Sequence, residues 1–379
     1  MVQAFAIEVP QVELDDMRAR LERTRWPDAG AGEWRDGTDL AYLRGIVEYW
    51  RDAYDWRSAE ARLNANPQVR VECGDIGIHA LHLRGTGPEP LPLIMTHGWP
   101  GSVVEMLDIA PKLTDPAAHG GDPKDAFDLV IPSLPGYGFS DRPRAGGINP
   151  SAIADLWLQL MSALGYERFG AQGGDWGATV SIELALAAPE RLAGVHLNFA
   201  PFGYLPTPKY TPDAGPEEHA FFDDRAKWVA AEGAYAALHG TKPQSLAYGL
   251  NDSPAGLAAW ILEKFHTWSD CGGDIESVFS RDDLLTNISI YWLTQTIGSS
   301  IRLYRQRNLA PPVPLRSAPE VPFGYAAFPK ELWTPPKPLL ERAFRLERYE
   351  VMPRGGHFAA LEQPDLLAAE IRAFFRPYR

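Results

Sequence analysis

The chain has 379 residues, 45% hydrophobic and 22% charged, enough to bury a large core and ordinary for a globular protein. Its formal net charge of −13 argues against nucleic acid or an anionic membrane as the main partner. Its two cysteines, Cys73 and Cys271, form neither a disulfide framework nor a metal-ligand pattern, so a reducing cytoplasm is the expected setting.

The N-terminus, Met1 to Glu8, has no basic region followed by a long apolar one. Neither a signal peptide, a membrane anchor nor a transmembrane span is expected. Residues 1–66 read as a helical extension. Leu14, Met17 and Leu21 recur at helical spacing, a second helix is expected from Leu40 to Trp56, and a third through Ala59 to Leu63. Trp26, Trp34, Trp50 and Trp56 would pack this extension onto a main body; one of them lining a substrate entrance is the functional alternative.

From Val69 the period changes. Val69 to Glu72 and Ile76 to Leu83 read as paired strands about Cys73-Gly74-Asp75. Leu91 to Thr96 is almost wholly apolar, as a strand covered on both faces would be. A helix is expected over Val103 to Leu113, a strand over Phe127 to Pro132, and a helix over Ser151 to Leu164. Arg168 to Gln172 then leads into Gly173-Gly174-Asp175-Trp176-Gly177, followed by a helical pattern from Ala178 to Ala188 and a strand from Gly194 to Asn198. Strand and helix alternate as in βαβ units, which predicts a mostly parallel sheet over 67–199. Residues 200–318 break the rhythm with helical, aromatic segments (Glu217 to Leu238, Ser245 to Leu250, Ala255 to Phe265, Asp282 to Thr296) and read as an insertion. Alternation resumes over 319–379, with strands at Val321 to Phe328 and Leu346 to Val351 and a last helix from Glu362 to Phe375.

A strand, a sharp glycine-flanked turn and a helix form the frame of a nucleophile elbow, with Asp175 where a serine commonly stands. A turn of this composition is by itself more often only a turn. Three other segments give it weight. His97-Gly98-Trp99-Pro100-Gly101-Ser102 follows a buried strand, and its N–H groups could face an oxyanion. Gly355-Gly356-His357-Phe358 puts a histidine between the last strand and last helix, where a lone loop histidine is usually solvated but a general base would also stand. Glu331, just past a strand, is either a surface charge or the partner that orients His357. The order nucleophile, acid, histidine is the one used on α/β-hydrolase scaffolds.

With these residues in place, the chain resembles the microsomal and juvenile-hormone epoxide hydrolase family, over nearly its whole length. The resemblance includes the N-terminal extension, Asn251-Asp252-Ser253-Pro254, Leu262-Glu263-Lys264-Phe265, Asp282-Asp283-Leu284-Leu285-Thr286-Asn287 and Arg354-Gly355-Gly356-His357-Phe358. The resemblance implies an α/β-hydrolase fold, a mostly parallel sheet flanked by helices, with a helical lid at 200–318. It also implies two lid tyrosines, which motif position carries to Tyr235, ahead of Gly240-Thr241-Lys242-Pro243, and to Tyr304, in Ser299 to Tyr304. This chain departs from the microsomal enzyme in showing no N-terminal anchor, so a soluble member is expected.

The chemistry suits these residue types. An aspartate, ionised near pH 7 with an ordinary pKa of about 3.9, can attack an epoxide carbon, and tyrosines of pKa about 10 can protonate the leaving oxygen. The expected sequence is an Asp175 glycol ester hydrolysed by water activated by His357 and Glu331. The N–H groups of Trp176 and Trp99 would form the oxyanion hole, and His97, Trp99, Pro100, Trp176 and Phe358 would line the substrate pocket. No metal or organic cofactor is required. The expected partner is a small epoxide, bulky and apolar or aryl, and a homo-oligomer is compatible with the sequence. A haloalkane dehalogenase, which also uses an elbow aspartate, and a catalytically silent small-molecule receptor are the alternatives.

Overall fold

Nine strands form one sheet among the residues described by this computed structural model, namely 1–144, 146–312 and 319–379. They are β1 (Val2–Ala4), β2 (Gln68–Cys73), β3 (Ile76–Leu83), β4 (Leu91–Thr96), β5 (Phe127–Pro132), β6 (Phe169–Gly173), β7 (Leu192–Leu197), β8 (Phe323–Ala327) and β9 (Leu346–Val351). Their order is β1-β2-β3-β5-β4-β6-β7-β8-β9. The first three strands and the junction of β3 with β5 are antiparallel; from β5 to β9 every pairing is parallel. Strands β5, β6, β7 and β8 are buried along their whole length, which is why they read as continuous apolar or small-residue runs instead of alternating ones.

The parallel arrangement has a consequence for chemistry. Thr96 at the end of β4 pairs with Gly173 at the end of β6. The loops leaving β4, β6, β8 and β9 therefore emerge on one edge of the sheet, the carboxyl edge where open α/β sheets carry their sites. They bring His97 to Ser102, Asp175, Glu331 and His357 to that edge.

Between β7 and β8 the helices Pro216–Glu232, Ala234–Thr241, Pro243–Leu250, Pro254–Trp268, Arg281–Leu293 and Ile297–Leu309 succeed one another. The expected end of this insertion at residue 318 lies outside the described residues. The N-terminal helices Gln11–Glu22, Leu40–Asp52 and Trp56–Asn64 brace it. Trp50 Nε1 donates to Ser289 Oγ at 3.0 Å, Thr38 Oγ1 donates to the Ala259 carbonyl at 2.6 Å, and Trp34 stacks on His266 with ring centroids 4.1 Å apart. Trp34 and Trp50 thus pack against the inserted helices.

Several elements differ from expectation. Strand β1 has no counterpart in the sequence reading, because three exposed residues at a sheet edge carry no burial pattern. The helix expected over Val103 to Leu113 is instead a single 3₁₀ turn, Val103–Met106, and a short helix, Ala110–Thr114. The single helix expected from Glu217 to Leu238 is divided at Gly233, which caps one helix and precedes the next.

Candidate active site

The elbow is built by what cannot be added to it. Asp175 itself takes the left-handed backbone conformation, with φ of 45°, while Gly174 has an ordinary extended one, with φ of −110°. The flanking glycines therefore serve close approach, not unusual dihedrals. A Cβ on Gly177 would lie 1.8 Å from the Thr96 carbonyl oxygen, and one on Gly173 would lie 2.2 Å from the Gly177 carbonyl carbon. Side-chain-free contact lets the helix Asp175–Ala187 start directly above β4 and β6. The strained aspartate is held at the helix N-terminus, where the first N–H groups, Trp176 among them, have no partner inside the helix.

The loop after β4 closes on this carboxylate. The Trp99 N–H donates to Asp175 Oδ1 at 2.8 Å. A Cβ on Gly98 would lie 2.4 Å from Asp175 Oδ1, so glycine is what lets the loop come this near. Asn287 and Tyr291, from the inserted helix Arg281–Leu293, fix the loop from above: Asn287 Nδ2 donates to the Pro100 carbonyl at 2.8 Å, Ser102 Oγ donates to Asn287 Oδ1 at 2.7 Å, and Tyr291 OH donates to the Gly101 carbonyl at 2.7 Å. His97 has both ring nitrogens engaged, one with the Gly98 carbonyl and one accepting the Leu134 N–H. It ties two loops together and keeps no polar atom free for a substrate. Burial lowers its imidazolium to about 4, so it is neutral.

His357 stands between two carboxylates. Its Nδ1 lies 2.5 Å from Glu331 Oε1 and its Nε2 lies 3.6 Å from Asp175 Oδ2. All three groups are buried or nearly so, with the Glu331 side chain at 0% and the His357 side chain at 2% exposure. Burial alone would lower the imidazolium; the charge of Glu331 and the contact with Asp175 override it and raise it well above its ordinary value. The His357 N–H donates to the Trp268 carbonyl at 2.9 Å, which links this loop to the inserted helices. Glu362 holds the same loop from below. Its carboxylate accepts from the N–H groups of Gly356, Phe358 and Asp270, at 2.9, 2.9 and 2.8 Å. Burial pushes its carboxyl up to about 7 despite those donors.

Aromatic groups surround Asp175 on the side of the inserted helices. Trp99 stacks on Tyr235 at 5.6 Å, Tyr304 meets Trp176 edge-on at 4.8 Å, and Tyr235 and Tyr304 lie 5.9 Å apart. Burial first, and then the negative charge of Asp175 among other groups, raises both phenols well above their ordinary value, so both stay protonated. Among the described residues, Trp99 Nε1, Trp176 Nε1, Trp268 Nε1 and Tyr304 OH are buried donors without a protein partner. Phe358 stacks on Phe265 at 4.1 Å, beside His357. The site thus places Asp175, His357, Glu331, Tyr235, Tyr304, Trp99 and Trp176 together. Asn287, Tyr291 and Glu362, which hold these loops in place, are not marked as site residues by the sequence. Among the described residues, no group of three His, Cys, Asp or Glu side chains is arranged to hold a metal ion.

Residues 2–106 match the family described as epoxide hydrolase N terminus, and residues 92–247 match the alpha/beta hydrolase fold family. A protein of Stigmatella aurantiaca that bears an epoxide hydrolase name is 47% identical over 383 residues, spanning 100% of this chain and 86% of its own. Epoxide hydrolase 1 of Oryctolagus cuniculus is 37% identical over 405 residues, spanning 98% of this chain and 88% of its own. The crystal structure of juvenile hormone epoxide hydrolase from the silkworm Bombyx mori superposes with a TM-score of 0.89 at 28% identity, covering 100% of this chain and 95% of that one.

Proposed function

The chain belongs to the epoxide hydrolase family, and from that premise we propose that it turns an epoxide and water into a vicinal diol through an ester on Asp175. It is an enzyme of the α/β-hydrolase fold. The observation that carries the proposed route is the placing of one carboxylate between a backbone donor and a buried histidine: Trp99 N–H on Oδ1, His357 Nε2 near Oδ2.

With Oδ1 engaged by Trp99, Oδ2 is the oxygen that attacks an epoxide carbon. The C–O bond breaks, and Tyr304 or Tyr235 gives its proton to the leaving oxygen, the other phenol sharing the developing charge. The product is a hydroxyalkyl ester of Asp175. Water then adds to the ester carbon, its proton passing to His357 Nε2, while Glu331 stabilises the imidazolium. The carbonyl electrons move to Oδ1, where the Trp99 and Trp176 N–H groups serve as oxyanion hole, a contribution of about 3 kcal/mol per donor. Collapse expels the diol with Oδ2, which takes its proton from His357, and leaves an Asp175 carboxyl with one oxygen from water. The proton on that oxygen returns to the tyrosinate, which restores both the Asp175 carboxylate and the phenol.

The inserted helices act in this reading as a lid that supplies the phenols. The indole and phenol rings of Trp99, Trp176, Trp268, Tyr235 and Tyr304 favour a bulky apolar or aryl epoxide. A paired phenol donor also suits an epoxide oxygen better than a departing halide. A single turnover in oxygen-labelled water tests the route: the first diol should carry unlabelled oxygen and the label should appear on Asp175. Full label in the first diol would mean direct attack by water.

A further inference from the structure

A cavity of about 20 Å³ lies behind the Asp175 carboxylate, lined among others by Gly98, Glu105, Gln172, Asp175, Asn198 and His357. That is room for one water molecule. Its walls carry polar side chains among apolar ones. Gln172 is 1% exposed; its amide nitrogen donates to Asn198 Oδ1 at 2.8 Å, and its Oε1 has no protein partner among the described residues. Glu105 is buried on the 3₁₀ turn Val103–Met106, and among the described residues burial and the charges of His357 and Asp175, with no hydrogen bond, act on its carboxyl.

The carboxyl reaches the cavity only because residue 101 is glycine. A Cβ there would lie 1.4 Å from Glu105 Oε1 and 2.4 Å from its carboxyl carbon. The turn is itself clamped by Ser102, Asn287 and Tyr291, so the carboxyl is presented on a fixed frame. A buried carboxyl without partners is costly unless something polar meets it. A single water meeting Glu105, Gln172 and His357 would have three polar neighbours, within the two to four that a buried water uses.

We propose that this cavity holds the hydrolytic water and that Glu105 positions it, a role resting on the Asp175 ester reading above. Water gives one hydrogen to His357 Nε2 and the other to a Glu105 oxygen. Its lone pair is thereby left pointing at the Asp175 ester carbon. When the water oxygen bonds to that carbon, its O–H bond to the His357 side breaks and the proton stays on Nε2; the hydrogen on Glu105 remains with the new carboxyl oxygen. Glu105 therefore acts in the second half-reaction and not in ester formation. Burial pushes its carboxyl up to about 8, against the opposing charge of His357, so near neutral pH it is an uncharged acid that adds no second negative charge beside Asp175.

The test separates the two half-reactions by following enzyme alkylation and diol release in single turnovers of Glu105→Leu, Glu105→Gln and Gly101→Ala. Glu105→Leu removes the acceptor, and Gly101→Ala displaces the same carboxyl while keeping it. Both should slow ester hydrolysis roughly 10- to 100-fold, the range for a misplaced reactant, with alkylation near the wild-type rate. Glu105→Gln keeps an acceptor oxygen and should recover most of the hydrolysis rate. Wild-type hydrolysis in both Glu105→Leu and Gly101→Ala, or equal slowing of both half-reactions, would overturn the role. His357→Gln serves as the reference: an ester that accumulates there, beside unaffected Glu105 variants, sinks the Glu105 role alone. No ester in His357→Gln sinks the covalent route itself.

Discussion

His357 Nε2 lies 3.6 Å from Asp175 Oδ2 while its Nδ1 is held by Glu331 at 2.5 Å. Two carboxylates thus act on one buried ring and together raise its pKa well above the ordinary value. Ester formation would remove one of the two charges. The base that hydrolyses the ester should then be weaker, and neutral at lower pH, than His357 in the resting enzyme. Asp175→Ala mimics that loss of charge. It should abolish diol formation, by about 10⁴-fold or more for a lost nucleophile. It should also lower the His357 pKa, read by NMR titration of the ring. The stability consequence follows in sign. With a folded value raised above about 6.5, His357 contributes stability that is fully present below about pH 6.5 and lost as pH rises through the raised value. Asp175→Ala should move that loss to lower pH. An unchanged or raised titration would mean that Asp175 does not set the histidine's charge.

The phenols of Tyr235 and Tyr304 lie 5.9 Å apart by ring centroid, each against Trp99. With both rings grouped on Trp99, whose N–H meets Asp175, the two phenols should share the proton-donor role. Each single change to Phe is expected to slow enzyme alkylation about 10-fold or more, and the double change about 10³-fold or more, within the range of general-acid catalysis. The hydrolysis of preformed ester should be little affected. A double variant no slower than the singles would assign the donation to one phenol.

The legible part of this molecule is the part with a period or a fixed chain position. Strands β4 to β8 were readable because burial on both faces leaves apolar runs. Asp175 and His357 stand out in the sequence because a glycine-flanked acid follows one strand and a Gly-Gly-His follows another, and the structure places the two side chains together. Glu105 and Glu362 carry no such mark. Each is one of 49 acidic residues, and a glutamate within an apparent amphipathic stretch reads as a solvated charge. What makes Glu105 different is a glycine four residues earlier whose missing Cβ leaves room for a carboxyl, a relation visible only in three dimensions. Asn287 closes the run Asp282 to Asn287, but its bonds to Pro100 and Ser102 depend on how an inserted helix crosses the β4 loop. Local composition does not encode that crossing.

Gly177 is a test of how the elbow is held. Any Cβ there would meet the Thr96 carbonyl oxygen at 1.8 Å, and that atom belongs to the backbone of a central strand and cannot swing away. Gly177→Ala should lower stability by roughly 1–3 kcal/mol, the usual cost of overpacking, measured by denaturant unfolding. Activity should fall more than stability alone explains, because the shift acts on the residue next but one to Asp175. Wild-type stability in this variant would show that the helix can lift from β4 at no cost.

Glu105 gives a pH dependence of the folded state that is independent of catalysis. Burial pushes its carboxyl from an ordinary 4.5 to about 8. Between those two values the folded protein holds a proton that the unfolded chain has released. Unfolding then loses protons, so stability falls as pH rises across this window. The contribution is fully present below about pH 4.5 and exhausted once the folded carboxyl ionises near 8. Glu105→Gln keeps the shape and removes the titration. Its melting temperature should therefore decline less steeply than that of the wild type from pH 5 to 8, other groups being common to both. Parallel curves for the two proteins would show that Glu105 is ionised in the folded state, with its charge met by a proton on His357 or by solvent reaching the cavity.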